Sequence, residues 1–170
     1  RAVADAPHPV IDVAPDSFTT TMPRFATLSP DGARVVFESL GRLHVKSARG
    51  KDLARPLTGD PADAIEAFPA FSRDGSRLAY VRWSDDRLGA IVIADANGQN
   101  RRVLTGPGHF GNLAFSPDGT MLAFEKREGG YLTAPDFSEN PGIYVIPVAG
   151  GEPQLVTRDG ANPQWGAGRD

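Results

Sequence analysis

The phrase Ser-Pro-Asp-Gly at Ser29–Gly32 returns at Ser116–Gly119, and Ser-Arg-Asp-Gly stands between them at Ser72–Gly75. Each copy sits inside the same longer pattern: Phe25 to Phe37, Phe68 to Tyr80, and Asn112 to Phe124. The serines are spaced 43 and 44 residues apart. A repeat of that period, rich in strand formers, predicts propeller blades rather than one single-core domain.

One repeat reads as four short strands. The first ends at Leu28, Phe71 or Phe115. A tight turn follows, in which Pro presets φ, Asp31, Asp74 or Asp118 bonds nearby backbone, and Gly32, Gly75 or Gly119 takes the left-handed position. The second strand is Val35-Val36-Phe37, Leu78-Ala79-Tyr80 and Leu122-Ala123-Phe124, apolar on both faces as a strand between neighbouring sheets must be. The third strand spans Leu43–Lys46, Ile91–Ala94 and Ile143–Ile146. It ends at turns around Arg49-Gly50, Asn97-Gly98 and Gly150-Gly151. Asn97-Gly98 predicts a hairpin with positive φ at both corners. The fourth strand closes at Leu57-Thr58, Leu104-Thr105 and Val156-Thr157.

The fold class is therefore all-β: a partial propeller of about three four-stranded antiparallel blades and the start of a fourth. The blades are expected over 22–58, 67–105 and 110–157, with a partial one over 162–170 opened by Trp165. Residues 1–21 form an extension with one apolar patch, Val10–Val13, that could supply an extra strand. With 19 glycines and 15 prolines, no window keeps a helical period, apart from a possible helical turn over Pro61–Glu66. A closed ring needs four to eight blades, so the expectation is either a piece of a longer propeller or two copies closing one ring.

The net charge is −3, and no basic stripe is interleaved with aromatics, which gives nucleic-acid binding little support. No apolar run is long enough for a transmembrane helix. Cysteine is absent, which excludes disulfides and thiol catalysis. His8, His44 and His109 form no paired metal-ligand motif. No nucleophile elbow is present. The glycines of Gly106–Gly111 lack the lysine and helix of a phosphate loop. Asp95–Asn100 has the wrong offsets for a calcium loop and reads as a hairpin turn. No cofactor and no catalytic or metal-binding residue is predicted. Two acidic stretches occupy connections: Asp60, Asp63 and Glu66 between blades, and Asp85 and Asp86 within one. They are read as solvated loops that could face opposite ends of the propeller. Arg82, Trp83, Asp85, Asp86, Arg87 and His109 are the candidate interaction surface, because Trp and Arg are favoured anchors and loops at a propeller end carry function.

The repeats resemble the TolB-type propeller repeat, a relative of WD repeats, over Met22 to Trp165; Phe115–Phe124 holds its marker nearly whole. Trp83–Ile91, Leu104–His109, Asn140–Val145 and Leu155–Pro163 look like connecting stretches of bacterial propellers linked to amidohydrolase domains. That resemblance implies a non-catalytic segment of an exported hydrolase-type protein, acting as scaffold, substrate gate or partner contact. TolB itself implies protein partners and a periplasmic location. Two alternatives stand beside it: a self-sufficient protein-binding module closed by homodimerisation, and a metal-dependent propeller hydrolase or lyase using His109. Arg73 departs from the usual turn proline, and Gly166–Asp170 departs from the whole turn.

Overall fold

The computed structural model describes residues 20–59, 64–127 and 140–166. Three four-stranded sheets follow one another along the chain, each strand antiparallel to the next. Blade 1 is β1 (Arg24–Leu28), β2 (Arg34–Ser39), β3 (Arg42–Ser47) and β4 (Arg55–Pro56). Blade 2 is β5 (Ile65–Phe71), β6 (Arg77–Ser84), β7 (Leu88–Asp95) and β8 (Arg102–Val103). Blade 3 is β9 (Phe110–Phe115), β10 (Met121–Lys126), β11 (Gly142–Pro147) and β12 (Gln154–Thr157). No helix occurs among the described residues, and the architecture is a partial β-propeller.

The blades pack through alternating side chains, since successive residues of a strand point to opposite faces. Leu78, Tyr80, Val92 and Ala94 of blade 2 meet Val36, Leu43, Val45 and Leu57 of blade 1. The other face of blade 2, Ala79, Val81, Ile91 and Ile93, meets Leu122, Phe124, Ile146 and Val148 of blade 3. The small side chain of Ala79 leaves room for the large Leu122 and Phe124 of the next blade. Blade 2 is thus covered on both faces, whereas Val35 and Phe37 on the back of blade 1 are only half-buried.

The predicted first strands end where expected, at Leu28, Phe71 and Phe115. The outer strands β4 and β8 stop short of the predicted Leu57-Thr58 and Leu104-Thr105. Leu57 and Leu104 still donate backbone hydrogen bonds to Leu43 and Ile91, at 2.9 and 2.8 Å. At Asn97-Gly98 only Gly98 has positive φ, +81°, and its N–H bonds the Asp95 carbonyl at 2.8 Å. The turn is therefore not the doubly left-handed one expected. Ile65 and Glu66 are strand, not helix; residues 60–63, the rest of the N-terminal extension up to residue 19, and residues 167–170 of the partial blade lie outside the described residues.

Each inner strand carries a bulge that the repeat phrase does not announce. The ladder slips between Arg24 and Thr27, between Ala67 and Ala70, and in β9 between Gly111 and Ala114. At each slip one residue is left-handed: Phe25 (φ 51°), Phe68 (53°) and Asn112 (49°). Such conformations cost a non-glycine residue about 1–2 kcal/mol and persist only where packing fixes them. Asn162, in the equivalent column, has φ 53°, and Trp165 donates its indole N–H to the Ala114 carbonyl at 2.9 Å. The chain after β12 therefore starts a fourth blade against β9.

Candidate interaction site at the loop end of the propeller

Up-and-down strands place the repeat turns and the outer hairpin turns at one end of each blade, and the middle hairpin turns with the connections between blades at the other. At the turn end a cleft of about 510 Å³ lies between the turns of blades 2 and 3, but Ser72, Asp74 and Asp118, which border it, are bonded within their own turns. Ser29, Ser72 and Ser116 are buried, at 2%, 1% and 4% exposure. Their hydroxyls donate to Asp31, Asp74 and Asp118 at 2.5, 2.5 and 2.6 Å. The same hydroxyls accept from the N–H of Arg34, Arg77 and Met121 at 2.9, 3.0 and 2.9 Å. The aspartates also accept from the backbone N–H two residues on, at 3.0 to 3.1 Å. Hydrogen bonds to the charged form lower a carboxyl pKa. The Ser72 hydroxyl, then the hydroxyl and N–H of Ser76, hold Asp74 down at about 2. Asp31 is lowered by the Ser29 hydroxyl first and the Ala33 N–H second.

The loop end has different chemistry. Ile65 at the start of β5 pairs with Trp83 near the end of β6, so the connection before β5 and the Asp85-Asp86 turn lie at the same end. Glu66 is not solvated as a loop carboxylate would be: it is fully buried, accepting from Leu43 N–H at 2.8 Å and from the Thr58 hydroxyl. It bolts blade 2 to blade 1, with its own N–H on the Gly41 carbonyl at 2.8 Å. Asp60 and Asp63 lie outside the described residues.

Among the candidate surface residues, Trp83 and His109 are brought together, their rings 4.6 Å apart. Two glycines make this possible. Gly89 and Gly108 form an isolated bridge, with Gly108 N–H to Gly89 carbonyl at 2.9 Å. A Cβ at Gly89 would lie 2.1 Å from the Gly108 oxygen and 3.1 Å from the Trp83 ring. The bridge draws the loop before β9 onto the β6–β7 turn and seats His109 on Trp83. Trp83 also donates to Asp85 at 3.2 Å. Arg82 is half-buried on β6, and Asp86 and Arg87 are exposed in the turn.

Arg127, which the repeat pattern does not single out, completes the wall. Its guanidinium lies 4.9 Å from the Phe68 ring centroid and donates to Glu125 at 3.2 Å. A Cβ at Gly111 would come within 2.9 Å of it, so glycine there lets the guanidinium lie against β9. Asn112 holds the other oxygen of Glu125 at 2.5 Å. Blade 1 has a parallel device: Arg24 pairs with buried Glu38 at 2.6 Å, and that hydrogen bond, with the charge behind it, raises the Arg24 pKa. Phe25 and Phe68 pack between the two guanidiniums, their rings tilted by 39° with centroids 4.1 Å apart. His44 takes no part: it stacks on Phe37 at 5.9 Å on the back of blade 1.

No family model matches the chain, and no curated protein sequence does. Solved structures do match. A provisionally assigned TolB from Agrobacterium tumefaciens superposes with a TM-score of 0.66 and 21% identity, over 80% of this chain and 46% of its own. TolB from Acinetobacter baumannii gives 0.57 and 23%, over 76% of this chain and 33% of its own. An oligogalacturonate lyase from Vibrio parahaemolyticus gives 0.62 at 9% identity, over 80% and 40%. The fold is that of the TolB-type β-propellers. The chain spans less than half the length of each of these proteins.

Proposed function

We propose that this chain is a non-catalytic propeller module that serves as a scaffold and protein-contact surface in an exported bacterial protein of the amidohydrolase-linked kind. One observation carries the reading: among the described residues, the two fully buried carboxylates, Glu66 and Glu38, and the part-buried Glu125 are committed to structure. Glu66 ties two blades together, Glu38 is held by Arg24 and the Gly41 N–H, and Glu125 is held by Asn112 and Arg127. A general acid or metal ligand needs a carboxylate that can turn to a substrate or ion. Among the described residues no group of three His, Asp or Glu side chains is placed to hold a metal. The loop phrases shared with amidohydrolase-linked propellers support the parentage, and the TolB likeness supports an extracytoplasmic location.

The test is metal analysis of the purified chain together with turnover of ester, amide and uronide substrates. The expected result is substoichiometric metal and no turnover. A stoichiometric metal whose removal abolishes turnover would overturn the reading in favour of a propeller hydrolase or lyase. A second reading, closure by homodimerisation, is favoured by the exposed apolar side chain of Val156 on β12, 60% accessible.

A further inference from the structure

Two cavities adjoin at the loop end of blades 2 and 3, and Arg127 lines both. The first, about 250 Å³, is walled by Phe68, Val81, Trp83, His109 and Phe110. The second, about 460 Å³, is bordered by Lys126, Arg158 and the glycines Gly142 and Gly160, with Glu125 as its one acid among the described residues. That acid is already bound by Asn112 and Arg127. One compartment is therefore aromatic and the next cationic, with a guanidinium at their shared wall.

We propose that this double cavity binds a protein segment carrying a tyrosine or tryptophan next to one or more carboxylates. The inference rests on the protein-contact reading above and names the partner's chemistry. A cavity of this size accepts one large side chain, and rings stacked on rings are favoured in such sites. His109 selects among rings: its Nε2 is buried with no hydrogen-bond partner among the described residues. Leaving a buried polar atom unpaired is costly, and a turn of the imidazole against Trp83 would bring Nε2 to a phenol O–H or indole N–H on the incoming ring. Lys126 and Arg158 then supply charge complementarity to the neighbouring acids, which favours an acidic partner and disfavours a basic one. The walls are held in advance, Trp83 and His109 by the Gly89–Gly108 bridge and Arg127 by Gly111 and Glu125, so little ordering is required on binding.

The experiment uses the full chain and a fluorescein-labelled probe, Ser-Gly-Tyr-Glu-Asp-Gly-Ser, followed by anisotropy at low salt. Two control peptides replace the tyrosine by alanine, or both acids by lysine. The acidic tyrosine peptide is expected to bind at least about tenfold more tightly than either control. Trp83→Ala and Arg158→Glu are each expected to weaken it by a similar factor, and Arg158→Glu is expected to improve the lysine peptide. Arg158 is exposed, with one bond to Asn140 at 3.3 Å, so its variant keeps the fold even if Trp83→Ala does not. Equal binding of the acidic and basic peptides, or indifference to Arg158→Glu, overturns the proposal. Those results leave the non-catalytic reading standing, because metal content and turnover decide that one separately.

Discussion

Ser72 is the residue on which a whole repeat turn hangs. Its hydroxyl donates to Asp74 and accepts from Arg77 N–H, while its own N–H bonds the Arg77 carbonyl at 3.0 Å. Ser72→Ala removes the acceptor and leaves a part-buried N–H unpaired, which should cost about 1–3 kcal/mol; urea unfolding checks it, and an unchanged midpoint would sink the account. The carboxylates of the same turns set an acid limit. Asp74 is held at about 2 in the folded state against an ordinary 3.8, and Asp31 is shifted the same way. A depressed carboxyl favours folding at pH values above its unfolded pKa, and that contribution is lost as pH falls toward the folded value. Thermal midpoints should therefore be flat in this respect above about pH 5 and drop between about pH 4 and pH 2. Asp74→Asn should flatten part of that drop. Gly89 tests the loop end: Gly89→Ala drives a methyl into the Gly108 carbonyl and should cost about 1–3 kcal/mol. In a Trp165→Phe background, the fluorescence of Trp83 should shift as the His109 stack opens; an unperturbed spectrum would contradict the role given to the glycine bridge.

At the scale of strands and blades, much was legible because the chemistry that makes a turn is local. Ser-Pro-Asp-Gly fixes its own geometry within four residues, so the first strands end where the pattern says. The inner bulges were hidden because Phe25 and Phe68 carry no sign of a left-handed backbone. Only Asn112 and Asn162, in the same column, hint at it, since asparagine tolerates that region. Of the candidate surface, the pairing of Trp83 with His109 depends on a bridge between Gly89 and Gly108, which are far apart in sequence and unmarked by any motif. Arg127 escaped because it lies just beyond the repeat phrase, and its partner ring, Phe68, belongs to the preceding blade. The middle residues of the second strands of blades 2 and 3, Ala79 and Ala123, differ in what covers them, and the difference can be tested. Ala79 is fully buried among Leu122, Phe124 and Ile146. Ala123 is buried at 5% exposure but belongs to neither core cluster. Ala79→Leu should destabilise by about 1–3 kcal/mol, and Ala123→Leu, outside the inter-blade clusters, by clearly less. Equal penalties in denaturant titrations would mean that blade 3 is packed on its far face as tightly as blade 2.

For the whole molecule, the decisive asymmetry is between the covered middle blade and its two neighbours. Propeller blades are apolar on both faces because each is meant to lie between two others. Blade 2 meets that condition; blade 1 leaves Val35 and Phe37 half-exposed, and blade 3 leaves Val145, on the face away from blade 2, half-buried and Val156 exposed. Burying one such side chain fully contributes about 1.5–3 kcal/mol, from which the cost of bringing two bodies together is subtracted, so association through these faces is expected to be weak and concentration-dependent. The outer faces should therefore associate, either with further blades or with a second copy. Light scattering on the isolated chain across a dilution series should give a mass above 18.1 kDa that falls on dilution. Val156→Glu places a charge in the exposed patch and should return the mass to the monomer without lowering the thermal midpoint, because that side chain contributes little to the core of its own sheet. A sharp species near twice the monomer mass that survives dilution would favour closure of one ring by two copies. A series that keeps growing with concentration would favour faces made to receive further blades of a longer propeller. A monomer at every concentration would mean that these faces are not sticky, and the packing argument drawn from blade 2 would not extend to its neighbours.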